Sequence, residues 1–142
     1  MDSSSDADDL AHVLDLNKQL LDAAVSGDWA KYVTLVSFDL TCFEAEAGTH
    51  LVKGLDFHQF YFPETKPEAK VNKTTTLVNP TASFLSVDKT SVLITYVRLT
   101  QFVNAAGAAV TSEMSETRIW TRSTSSSNDW NNVHFHRSVT KL

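Results

Sequence analysis

The chain has one cysteine, four glycines and three prolines in 142 residues, and each scarcity closes off a class of function. A lone Cys42 builds no internal disulfide framework and suits a reducing compartment. With so few glycines there is no glycine-rich loop to cradle phosphates, which removes nucleotide chemistry of that kind. No apolar run approaches the roughly 20 residues that a helix needs to cross a bilayer. The acidic opening from Met1 to Asp9 lacks the basic and apolar regions of a secretory signal, so the cytoplasm is the expected compartment. Asn72-Lys73-Thr74 is therefore a glycosylation sequon by spelling only. Basic charge is short as well: the net charge of −5 argues against a nucleic-acid binder, which presents a basic face.

What is present suits one soluble domain with a real core, at 42% hydrophobic and 20% charged residues. Residues 1–7 are polar and are expected to form a mobile tail, with a single domain over 8–142. From Asp8, the residues Leu10, Val13, Leu14, Asn17, Leu20, Leu21, Ala24 and Val25 recur on one helical face, and Gly27 stops the helix. Asp28 caps a second short helix carrying Trp29, Tyr32, Val33 and Val36. A short strand follows at Leu40–Phe43, then a short helix around Leu55, His58 and Tyr61 or Phe62, and a polar loop from Pro63 to Lys70. The remainder reads as β: Val71 to Val78 and Thr81 to Val87 flank a bend at Asn79-Pro80, and turns at Asp88-Lys89, Asn104–Gly107 and Ser123–Asp129 separate three further strands. Helices first and strands afterwards predict an α+β fold, a curved antiparallel sheet wrapped on a long helix.

Each of the last three strands carries one arginine among apolar neighbours. Arg98 shares its period-2 face with Ile94, Tyr96 and Phe102, Arg118 with Met114, Glu116 and Trp120, and Arg137 with Val133 and Phe135. An unpaired buried ion costs several kcal/mol. Two arrangements meet that cost: Glu44, Glu46, Glu113 and Glu116 neutralise the arginines, or the three line one cationic pocket for an anion.

Several stretches in one order resemble the association (hub) domain of calcium/calmodulin-dependent protein kinase II: Ser26–Tyr32, Thr41–Glu46, Leu51–Phe62, Leu77–Pro80, Tyr96–Phe102, Ser115–Trp120 and Asn132–Arg137. The resemblance runs from about Leu16 to Ser138. It implies a nuclear transport factor 2-like cone and self-assembly into two stacked rings of a dozen or more subunits that gather kinase subunits carrying a related hub. It also implies a pocket for small carboxylates, lined by Arg98, Arg118, Arg137 and His58, with no catalysis; the residue pattern itself leads us to expect no cofactor and no metal. Tyr96 joins the expected lining because it shares the face of Arg98. The chain lacks a kinase domain and a basic calmodulin-binding helix, and it departs from the family pattern over Pro63–Lys70 and Thr124–Asn128.

The competing reading is an enzyme, because this cone also hosts isomerases and dehydratases. Asp56 or His58 would then be the base and Tyr96 the donor, although arginines nearby depress a carboxylate and make it a poorer base. His134 and His136 share a strand face but lack a third metal ligand at suggestive spacing. Cys42 beside Phe43 reads as an inert buried thiol.

Overall fold

Apolar residues at helical spacing lay the first helix against the sheet. The structure is a computed structural model that describes residues 3–62 and 73–141. Helix α1 (Ser3–Ser26) buries Val13, Asn17, Leu20, Leu21 and Ala23, and it packs on the strands β3 (Thr74–Phe84) and β4 (Ser91–Val103). Gly27, at φ 75°, takes the left-handed conformation that ends a helix cheaply only at glycine. The Asp28 carboxylate then accepts from the Lys31 amide at 3.0 Å and caps helix α2 (Trp29–Leu35). Next come β1 (Val36–Phe43), a 3-10 turn at Ala45–Ala47, β2 (Val52–Lys53) and α3 (Asp56–Gln59). The strands β5 (Ala109–Thr121) and β6 (Asn131–Lys141) complete the chain.

Among the described residues, six strands form one curved, open sheet in the order β2-β1-β6-β5-β4-β3. Hairpin pairing is antiparallel throughout β3-β4-β5-β6. The helices cover the concave face, where Leu40, Cys42, Val92, Ile94, Trp120 and Phe135 meet Val13, Leu20 and Leu21 of α1. Burying each large side chain of this set stabilises the fold by roughly 1.5–3 kcal/mol. The Trp120 indole N–H donates to Asn17 Oδ1 at 3.0 Å, so the polar residue on the helix face satisfies the polar atom of the largest core residue.

Four sequence expectations are corrected. Helix α1 starts at Ser3 and not at Asp8, so residues 3–7 belong to the helix and not to a mobile tail. Asp6 pairs with Lys89 of the β3–β4 turn, which ties that first turn to the sheet. Val36 opens β1 instead of continuing α2. The sheet is not wholly antiparallel, because β1 runs parallel to β6. Val133 does not share the inward face of Phe135: a register shift between Ile119 and Trp120 turns Asn132 inward instead. The bend at Asn79-Pro80 is a bulge within the single strand β3, with Asn79 at φ 52°. The expected loop over Pro63–Lys70 lies outside the described residues, as do Val71 and Asn72.

Candidate functional site

The curvature of the sheet leaves a cavity of about 360 Å³ between the C-terminal half of α1, the α2 and α3 segments, and the inner faces of β4, β5 and β6. Arg98, Arg118, Arg137 and His58 all line it, with Lys73, Glu44, Glu46, Thr100, Ser112 and Tyr32. The alternation in each strand delivers these side chains: Arg98 and Thr100 are buried inward residues of β4, and Ser112, Glu116 and Arg118 are those of β5.

Two ion clusters divide the charge. In the first, Glu116 accepts from Arg98 Nη1 at 3.1 Å, from Arg118 Nη2 at 2.9 Å and from the Tyr96 hydroxyl at 2.7 Å. Arg118 Nε also donates to the Tyr96 oxygen at 3.0 Å, and its Nη1 donates to Asn132 Oδ1 at 2.9 Å. The guanidinium carbon stands 4.2 Å from the Phe135 ring centroid, a cation–π contact. Burial works to raise the Glu116 carboxyl, but Arg118 and Arg98 overcome it and hold the group down at about 2. In the second cluster, Arg137 donates to Glu44 Oε2 at 3.0 Å and also to Glu46. Burial pushes the Glu44 carboxyl above its usual range against the opposing pull of Arg137.

Beside the second cluster lie His58 and Cys42. His58 Nδ1 is 3.5 Å from Glu44 Oε1, and its Nε2 is 3.5 Å from Cys42 Sγ. Burial, then Arg118 and Arg137, lowers His58 to about 4, so at neutral pH its contact with Glu44 is a weak polar one between an uncharged ring and a carboxylate. Burial and then Glu44 push the Cys42 thiol up to about 12, so with no metal bound it keeps its proton at neutral pH.

Elements of both sequence arrangements for the arginines meet here, although no anion is shown in the cavity. The carboxylates pair with them, and the same arginines line a cavity. Among the described residues, the count with Lys73 is four cations (Arg98, Arg118, Arg137, Lys73) against three carboxylates (Glu44, Glu46, Glu116), an excess of one positive charge. Glu113 lies in the opposite phase of β5 and takes no part in the lining. Arg98 Nε and Thr100 Oγ1 are buried without a partner among the described residues, and unpaired buried donors of that kind cost about 1–3 kcal/mol each.

Tyr96 is corrected: it is not on the cavity wall, and it stands behind it holding Glu116 and Arg118. Asp56 is exposed at the start of α3 and away from the lining. His134 and His136 sit on the outer face of the sheet, where His134 Nδ1 lies 2.7 Å from Thr41 Oγ1. Sequence reasoning missed Arg122 and Asn132. Arg122 continues the alternation of Arg118 and Trp120, and that phase was the available signal. It donates to Asp9 at 2.9 Å and to the carbonyls of Lys89 and Ser127. Asn132 gave no signal, because the register shift that turns it inward is a property of the paired strands.

A long helix held in a curved sheet around a polar cavity is the nuclear transport factor 2-like architecture. A superfamily member from Salmonella enterica superposes with a TM-score of 0.71 over 96% of this chain and 94% of its own, at 13% identity, which shows the fold alone. The family follows from sequence: the model of the calcium/calmodulin dependent protein kinase II association domain matches residues 9–141, and the chain belongs to that family. The association domain of C. elegans CaMKII is 33% identical with a TM-score of 0.83, over 96% of this chain and 99% of that one. The S. rosetta CaMKII hub is 40% identical with a TM-score of 0.78, over 92% and 96%. The calcium/calmodulin-dependent protein kinase type II alpha chain of Drosophila melanogaster is 39% identical over 89% of this chain. The chain spans 23% of the length of that relative. Among the described residues, no helix is long and apolar enough to cross a membrane.

Proposed function

We propose that the chain is a self-assembling hub: copies of it close into two stacked rings of a dozen or more subunits, and kinase subunits carrying a related domain join the same assembly. The observation that carries this reading is the amount of apolar surface that one copy leaves in water. Phe38 is 82% exposed, Phe60 78% and Val87 98%, and Leu51, Tyr61, Leu85 and Val103 are exposed with them. Scattered apolar residues are normal on a monomer, but bare phenylalanines suit the core of an interface. The helices cover one face of the sheet, so the outer face of β4, β5 and β6 is open to a second copy. Native mass spectrometry at micromolar concentration tests the reading: a multiple of the 15.7 kDa chain of twelve or more is expected, and a monomer refutes it.

The cavity acts in this reading as a receptor for a small carboxylate, gripped and not transformed. The surplus positive charge and the unpartnered Arg98 Nε and Thr100 Oγ1 favour an anion there. Bound ligand raises the unfolding temperature by mass action. Small carboxylic acids are expected to raise the Tm of the wild-type chain and to lose that effect in Thr100→Val with Arg98→Lys, while an unchanged Tm in the wild type refutes it. No observation favours the isomerase or dehydratase reading: Asp56 is off the cavity, and His58 stands against Cys42 and Glu44.

A further inference from the structure

Cys42, Glu44 and His58 bring three different metal-ligating chemistries to one buried point, with one atom from each within 4.8 Å of the others. Cys42 and Glu44 stand two apart at the end of β1 and so share a face, and α3 lays His58 over them. We infer that these three side chains form a binding site for a divalent transition metal of the zinc class, with the cavity side left open for a further ligand.

The distances have the right scale. Zinc bonds of about 2.3 Å to sulfur and about 2.0–2.1 Å to nitrogen or oxygen, at tetrahedral angles, put ligand atoms about 3.3–3.6 Å apart. Cys42 Sγ is 3.5 Å from His58 Nε2 and 3.7 Å from Glu44 Oε1, the latter slightly wider than that spacing. Glu44 Oε1 stands 3.5 Å from the other ring nitrogen, Nδ1, so metal binding draws the three together and turns the ring until one nitrogen faces both partners. The second carboxylate oxygen of Glu44 is already held by Arg137 Nη2 at 3.0 Å, an outer partner of the kind that orients metal ligands.

Charge also balances. Arg137 faces both Glu44 and Glu46, so this corner holds one cation against two carboxylates. Metal binding releases the thiol proton. The corner then carries two net negative charges, which one divalent ion cancels. Glu116 is shared between Arg118 and Arg98, so one positive charge remains beyond this corner, and an anionic ligand in the open cavity-side position would offset it. Entry is through the cavity, whose wall includes Glu44 and His58, with Cys42 buried behind them. A thiolate with an imidazole selects zinc, cobalt or copper over magnesium and calcium.

The test is a cobalt(II) titration of the purified, metal-stripped chain, read by absorption, with zinc as competitor. The expected result is one cobalt per chain, with a thiolate-to-cobalt charge-transfer band in the near ultraviolet and intense visible bands that zinc abolishes. Cys42→Ser should lose the charge-transfer band, and His58→Gln should weaken cobalt binding at least tenfold. His136→Ala, on the outer face, should change neither. Absence of a charge-transfer band in the wild-type chain overturns the proposal whatever the variants do. So does metal binding that survives Cys42→Ser unchanged and disappears in His136→Ala, which would place the ion on the exterior imidazoles.

Discussion

Glu116→Gln preserves the shape of the side chain and removes the one negative charge between two buried guanidinium groups. The Glu116 side chain is 0% exposed, Arg118 4% and Arg98 9%. Breaking a buried pair from one side costs about 3–5 kcal/mol, because the surviving charge is left uncompensated. The depression of the carboxyl by the same two arginines is of matching size. A carboxyl moved from 4.5 to about 2 corresponds to about 3 kcal/mol at ~1.36 kcal/mol per pH unit. Since a domain holds only about 5–15 kcal/mol in total, the loss is a large share of it. Urea unfolding at pH 7 and fixed protein concentration should show the midpoint falling on the order of 1–3 M, for a slope of ~1–3 kcal/mol/M. A depressed carboxyl contributes stability that is fully present above its unfolded value of 4.5 and is lost as pH falls towards about 2. The wild type should therefore lose this stability across that window, and the variant should show a flatter acid limb. Adding Arg98→Met to the variant should recover part of the loss by removing one orphaned cation. A variant within 1 kcal/mol of wild type, or one with an unchanged acid limb, would refute the reasoning.

Two further outcomes follow from the same geometry. The His58 imidazole, lowered to about 4 by burial and by Arg118 and Arg137, should stay neutral down to mildly acidic pH. An NMR titration with a midpoint near 6.5 would contradict its buried placement. Arg122, whose side chain is 2% exposed, joins Asp9 of α1 to the β3–β4 turn and stacks 4.4 Å from the Trp130 ring. Arg122→Met should cost about 2 kcal/mol and speed amide hydrogen exchange around Asp9, and unchanged protection there would show that the clamp is idle.

The parts of the fold legible from the sequence were those set by local rules. The helical period over Leu10 to Ala24, the caps at Gly27 and Asp28, and the alternation around Arg98 and Arg118 all appear in the structure where the pattern put them. What escaped depends on pairing across the sheet. The parallel contact of β1 with β6 joins segments from opposite ends of the chain, and no local signal encodes it. The same holds for the shift that turns Asn132 inward. Tyr96 was read as cavity lining because its phase was right, but phase gives a face and not a depth: its hydroxyl donates to Glu116 and accepts from Arg118, and of these three only Arg118 reaches the cavity wall. The start of α1 was missed because serine and aspartate rank low as helix formers, and Lys89, distant in sequence, supplies the partner that fixes Asp6.

The parallel pairing of β1 with β6 also fixes an order of events during synthesis. The antiparallel meander of β3, β4 and β5 closes through neighbouring segments, and local contacts of that kind form quickly. β1 emerges from the ribosome long before β6, its partner in the middle of the sheet, exists. Until β6 is made, β1 lacks that partner along one edge, with Phe38 of the same strand exposed. The growing chain is thus most open to premature pairing along Thr41–Phe43, residues of β1 that β6 later covers.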